Sequence, residues 1–211
     1  MQERSDTMIK CNINYHIIKN LDTLNQIVYA KKVYSFLFLL NFEYPNFTSW
    51  YNSLFKNNGL LNEEREIIIC TINGNVVGVA ILKSDKAEKK ICTLRVLPAY
   101  QYLGIGSAFM EKSFELLNND KPLITIHISK YQSFKRLFEK YNFSLEQQMQ
   151  GYYGLMRSEL SYNGVLSDAV PCKNSLFEQI IFDVEKRIYG YTCSDKKVFV
   201  PNTLNPQIQL L

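Results

Sequence analysis

The stretch Ile91 to Ser107, ICTLRVLPAYQYLGIGS, holds the residues whose types and spacing bear most directly on chemistry. An apolar, β-rich run stops at Pro98, and Gln101, Gly104 and Gly106 follow in the spacing Gln-x-x-Gly-x-Gly just before an amphipathic helical pattern. A strand-to-helix junction of this kind aims several backbone N–H groups and the positive end of a helix dipole at one point. It binds an anion, pyrophosphate above all. Glycine is expected at 104 and 106 because a Cβ there would keep the backbone away from phosphate. The spacing is not that of a dinucleotide-binding fingerprint, and no Lys-Ser or Lys-Thr pair follows as a P-loop requires.

Other chemistry-bearing residues are sparse. The histidines are His16 and His127, and the five cysteines (Cys11, Cys70, Cys92, Cys172, Cys193) include no close pair. A zinc or other transition-metal site therefore has almost no ligands to draw on, and the thiols read as reduced and mostly buried. A net charge of +4 over 211 residues fits an anionic cofactor. Lysines and arginines are interleaved with acids, as in SDKAEKK and FKRLFEK, so no continuous basic surface for nucleic acid is expected. Hydrophobic residues at 46% and charged residues at 21% are those of a folded globular chain. The longest apolar stretch, Val33 to Phe42, is interrupted by Ser35 and Asn41 and falls short of the ~20 residues that cross a bilayer. The first ten residues, MQERSDTMIK, lack the apolar run of a secretory signal, which favours the cytoplasm.

The elements that must position the junction can be read from periodicity. Residues 12 to 18 alternate as a strand; Asp22 caps a helical pattern through Leu24, Ile27, Val28 and Tyr34; Asn46 caps a second with Phe47, Trp50, Tyr51, Leu54 and Phe55 on one face. Glu66 to Thr71 and Val76 to Lys83 form a hairpin around Asn73-Gly74. A strand from Ile91 to Leu97, a helix from Ser107 to Leu117, a strand from Pro122 to Ser129 and a helix over 131–141 follow, with Asn142 at a left-handed helix end. Phe143 to Gln148 and Tyr152 to Leu160 read as closing strands, and the core is expected to end near Gly164. Beyond it, Ser175 and Glu178 form a capping box for an amphipathic helix at about 174–189, followed by a loose tail. That helix could dock on its own core, mediate a homodimer or bind another protein.

LRVLPAYQYLGIGSAF resembles motif A of the GNAT superfamily of acetyl-CoA-dependent N-acetyltransferases, and LFEKYNF (Leu137 to Phe143) is similar to a second family hallmark at the end of the fourth helix. The resemblance covers about residues 12 to 160. It implies an α/β GNAT fold: a mixed central sheet of about six to seven strands flanked by about four helices, with residues 1–164 as the acetyltransferase domain and 165–211 as a small C-terminal extension. It implies acetyl-CoA as co-substrate, no metal, and transfer of the acetyl group to an amine of a small molecule or peptide by direct attack.

Residue by residue, the resemblance places Leu94, Arg95 and Val96 along the pantetheine arm. Gln101, Tyr102, Leu103, Gly104, Ile105, Gly106 and Ser107 fall around the pyrophosphate, and Lys130 and Lys135 near the outer phosphates. The family's frequent proton-donating tyrosine is Phe138 here, which has no proton to give. Tyr131, seven residues away and on nearly the same helix face, and Tyr141, one turn on, are the substitute phenols, with Tyr131 also near the cofactor. No carboxylate stands on the fourth strand as a base, where Cys92 and Thr93 occur. Glu43, His127, Tyr152 and Tyr153 are the other candidates, and a water chain is an alternative. The same features admit a catalytically inactive CoA-binding module. A toxin-type enzyme acting on aminoacyl-tRNA is a further reading, which the interleaved charges disfavour.

Overall fold

The structure is a computed structural model, and it describes residues 12–44, 46–150, 152–153, 158–166 and 198–199. The helix expected at about 174–189 lies outside the described residues. Asp22 opens the first helix, α1 (Thr23–Leu37), by accepting the Asn25 backbone N–H on Oδ1 at 3.0 Å. A short helix, α2 (Leu40–Glu43), precedes α3 (Phe47–Ser53). Three helices, not two, thus lie between the first strand and the rest of the sheet. Asn46 sits ahead of α3 without a side-chain capping bond, so that helix is held by packing: the Tyr51 hydroxyl donates to the Ala30 carbonyl of α1 at 2.8 Å.

The first strand, β1 (Ile13–Ile17), pairs with β2 (Arg65–Ile72), which turns through Asn73-Gly74 into β3 (Asn75–Ser84). Both turn residues have positive φ, 51° and 78°, as a two-residue hairpin requires. Then come β4 (Lys89–Val96), α4 (Ile105–Leu117), β5 (Leu123–His127), α5 (Tyr131–Lys140), β6 (Leu145–Gln150), β7 (Ser158–Tyr162) and the two-residue β8 (Val198–Phe199). The strand order is β1-β2-β3-β4-β5-β7-β6-β8. Neighbours are antiparallel except β4 with β5 and β6 with β8. The closing hairpin is shifted from the sequence expectation. Tyr152 and Tyr153 fall between its strands, and β7 inserts between β5 and β6, where Tyr162 and Leu160, facing Ile124 and Ile126 respectively, complete the core.

The middle of the sheet is buried on both faces, which explains its nearly continuous apolar runs. Ile67, Ile69, Val79 and Ile81 pack under α1 and α3 with Val33, Leu37, Phe47 and Tyr51. Ile68, Cys70, Ala80 and Leu82 pack on the other side with Ile105 and Phe109 of α4 and Phe138 of α5. Each fully buried Ile or Leu of this set stabilises the fold by roughly 1.5–3 kcal/mol. The two helix layers are thereby fixed against the sheet, and the α4 N-terminus is fixed at the end of β4. No helix among the described residues is long and apolar enough to cross a membrane.

Candidate active site

The parallel pair β4–β5 is joined only at Lys90↔Leu123 and Ile91↔Ile124, although β4 continues to Val96 and β5 to His127. The cause lies one residue further along β4. Leu82 of β3 faces Ile91 while Ile81 faces Thr93, so Cys92 is an extra, bulged residue. A bulge bends and twists its strand, and here it carries β4 away from β5 immediately after the last shared bond. The backbone from Thr93 to Val96 is left with one edge unpaired by β5.

That opening is part of a cleft of about 1360 Å³. Its far end is the loop after Pro98. Gln101 donates its side-chain amide to the Val96 carbonyl at 3.1 Å, which ties the loop back to the strand end. Tyr102 and Gly104 both have positive φ, 63° and 83°. Gly104 is the N-cap of α4 and offers no side chain to its first turn, and Ala108 N–H to Gly104 O is the helix's first backbone bond. The N–H groups of Ile105, Gly106 and Ser107 are left to solvent or a ligand. A Cβ on Gly104 would meet nothing within 4 Å, so glycine is required there by the backbone conformation. A Cβ on Gly106 would come within 3.3 Å of Leu137 Cδ1, so this glycine lets α5 approach α4, a different reason from the one its spacing suggested.

Leu94, Arg95, Val96, Gln101, Tyr102, Gly104, Gly106 and Ser107 line the cleft. Ile105 is buried in the core and Leu103 is exposed, and neither is on the wall. Lys130, Arg136 and Lys140 stand along the α5 side, with Lys130 4.0 Å from Glu43 and Lys140 3.3 Å from Glu111; Lys135, off the wall, is paired with Glu139 at 3.9 Å. The Arg136 guanidinium lies over the Tyr102 ring at 5.8 Å.

The phenols expected at the two ends of α5 are elsewhere. Tyr131 packs against the α4–α5 core cluster and is not on the cleft wall; burial and the Glu139 carboxylate raise its pKa. Tyr141 is also off the wall, its hydroxyl 2.8 Å from Glu111 Oε1 and 3.3 Å from the Ser107 carbonyl. Phe138 is stacked on Phe143 in the core.

His127, Glu43, Tyr152 and Tyr153 do line the cleft. His127 Nδ1 accepts the Ser129 backbone N–H at 3.2 Å, so the neutral ring carries its proton on Nε2. Glu43, on α2, reaches Lys130 across the cleft at 4.0 Å. Tyr44 of the α2–α3 turn meets Tyr153 edge to face at 5.6 Å, and Tyr153 meets Tyr152 at 4.7 Å. The Tyr153 hydroxyl is hydrogen-bonded with Thr125 on β5; burial, and to a lesser degree the Glu159 carboxylate, push its pKa up. This phenol reaches the floor of the cleft beside Thr125 and Cys92. Its position comes from the β6–β7 connection, and no local pattern announces it.

Residues 44–155, just over half of the chain, match the family model of a GNAT acetyltransferase domain. The chain is a GNAT acetyltransferase. A GNAT-family protein from Desulfovibrio desulfuricans is similar over 71% of this acetyltransferase and 96% of its own length, at 16% identity and a TM-score of 0.51. The ribosomal-protein-S18-alanine N-acetyltransferase of Escherichia coli is similar over 71% and 91%, at 16% identity and a TM-score of 0.49. At 16% identity the first of these likenesses speaks to the fold alone. Comparison with curated proteins finds no match to this acetyltransferase.

Proposed function

We propose that the protein transfers the acetyl group of acetyl-CoA directly to an amine held on the α1–α3 face of the sheet. The observation that carries this reading is the β4–β5 opening that ends at an uncapped helix N-terminus. It offers an unpaired strand edge to an amide-rich arm and a ring of N–H groups to a pyrophosphate. The residues present fit such a co-substrate: Leu94 to Val96 along the arm, the Gln101–Ser107 loop at the pyrophosphate, and Lys130, Arg136 and Lys140 for further anionic charge.

When bound, acetyl-CoA supplies a thioester carbonyl for the amine to attack, and the CoA thiolate leaves. The chain contributes positioning and the handling of two protons. Tyr153, whose raised pKa keeps it protonated, is the donor for the leaving sulfur, and His127 Nε2–H is a second donor on the same face. Glu43 and Glu88 are the carboxylates on the wall among the described residues. Glu88 is engaged by Lys83 at 3.1 Å and Lys90 at 3.9 Å, which leaves the more loosely held Glu43 to receive the amine proton.

Calorimetry with CoA, followed by acetyl-CoA turnover with an amine panel, tests the reading. Micromolar-range CoA affinity and amine-dependent CoA release are expected; wild-type protein without measurable affinity for CoA overturns it.

A further inference from the structure

The acceptor side of the cleft carries a charge pattern that the fold does not require. Arg65 faces Lys83 across β2–β3, and Lys83 faces Lys90 across β3–β4. Three cations therefore stand side by side across three strands on one face. Like charges directly opposite one another in a sheet are destabilising. Asp85 and Glu88 answer the two lysines: Lys83 Nζ lies 2.9 Å from Asp85 and 3.1 Å from Glu88, and Lys90 Nζ lies 3.9 Å from Glu88. Burial works against the charge of Lys83, but these carboxylates outweigh it and hold its pKa above the ordinary value.

Among the described residues, no carboxylate answers Arg65. It has no ion pair among the described residues, and its guanidinium points at the bulged Cys92, with Nη1 donating to Sγ at 3.7 Å. Arg95, on the same face of β4, is likewise without an ion pair among those residues. Both arginines line the cleft, and Tyr44, Phe47, Trp50, Tyr152 and Tyr153 wall it.

We infer that the acceptor is an amino acid-like amine carrying its own carboxylate and a planar apolar body, with Arg65 as the carboxylate anchor and the Tyr44–Trp50–Tyr153 wall for the ring. A guanidinium fork matches a carboxylate in two parallel hydrogen bonds, and the incoming anion completes the cation row that Asp85 and Glu88 leave one charge short. The same floor repels polyamines and other multiply cationic acceptors. The inference rests on the acetyl-transfer reading only for the amine; the carboxylate and ring follow from this floor and wall.

The test is calorimetry on the full chain, without acetyl-CoA, using L-phenylalanine, phenethylamine (the same skeleton without the carboxylate) and hydrocinnamate (the same skeleton without the amine). Both acids should bind at least roughly 30-fold more tightly than phenethylamine, the scale of losing one partner of a desolvated charge pair. Arg65→Gln should erase that preference and Arg65→Lys should keep part of it, while acetyl-CoA affinity, titrated separately, stays at the wild-type value. Equal or tighter binding of phenethylamine, an unchanged preference in Arg65→Gln, or no heat with any of the three overturns the inference. Failure of the separate acetyl-CoA titration instead strikes the acetyl-transfer reading, since the acid preference is measured without it.

Discussion

The β2–β3 pair and the β4–β5 pair of the same sheet obey opposite rules. From Ile67↔Ile81 to Cys70↔Gly78 the first is paired without a break and buried beneath a helix layer on each face. The second is bonded at two positions and then opens. The second opens where β4 carries an extra residue relative to β3, Cys92, directly after the last shared partner. The closed half is where burial holds the molecule together, and the open half is where backbone groups are kept available. Stability and ligand binding should therefore respond to different substitutions.

Phe109→Ala strikes the closed half hardest. Its ring is 0% exposed and lies between α4 and the sheet, so removing it should destabilise by about 3–5 kcal/mol, as for other buried aromatic truncations. Denaturant unfolding measures the loss; a change below about 1 kcal/mol would mean that the halves are not divided as described.

Gly104→Val is the matching blow to the open half. With φ at 83°, a branched residue there is strained by about 1–3 kcal/mol and the anion loop should lose its shape. CoA affinity should fall by roughly 10²-fold while far-ultraviolet dichroism stays native, because the position faces open space. Equal loss of fold and binding would blur the contrast.

Tyr153→Phe sharpens it within the open half. Removal of a proton donor should lower kcat by about 10- to 10²-fold with little change in CoA affinity. Tyr131→Phe and Tyr141→Phe, whose phenols are off the cleft wall, should change kcat by less than about 3-fold. Steady-state kinetics on the three variants decides; a larger effect from Tyr131 would return the donor to α5.

The smallest effect concerns Asp85. Its hydrogen bond from Lys83 holds the carboxyl down to about 2, below the unfolded value of about 3.9. A depressed pKa contributes stability that is present above the unfolded pKa and lost as pH falls toward 2. Asp85→Asn should lower stability modestly at neutral pH and flatten the acid limb between about pH 4 and 2, so that the two proteins converge at the acid end. Unfolding midpoints at stepped pH would show whether the limb changes.

What was legible in the sequence is what short-range chemistry dictates. Asn73-Gly74 announces its turn, Asp22 its helix, and Gln101 and Gly104 the turn into α4, because each acts on backbone within a few residues. The bulge at Cys92 was not legible, since it exists only relative to β3. Neither was the insertion of β7 between β5 and β6, which brings Tyr153 onto Thr125. Tyr131 looked suitable on a helical wheel, yet the wheel cannot say which way the wheel is turned. The apolar content of α5 turns that side to the core. The cation row on the cleft floor also required register, because Arg65, Lys83 and Lys90 are distant in sequence and adjacent only once three strands are aligned.

The unpaired edge of β4 also makes the sheet incomplete in the protein by itself. An arm whose amides bond that edge would act as a missing strand, coupling folding equilibrium to ligand concentration: a hundredfold excess over Kd adds about 2.7 kcal/mol to unfolding free energy. Heat resistance would then track the supply of the co-substrate, and hydrogen exchange at Leu94 and Val96 would slow on loading while the amides of β2 and β3, already paired on both sides, stayed as they were.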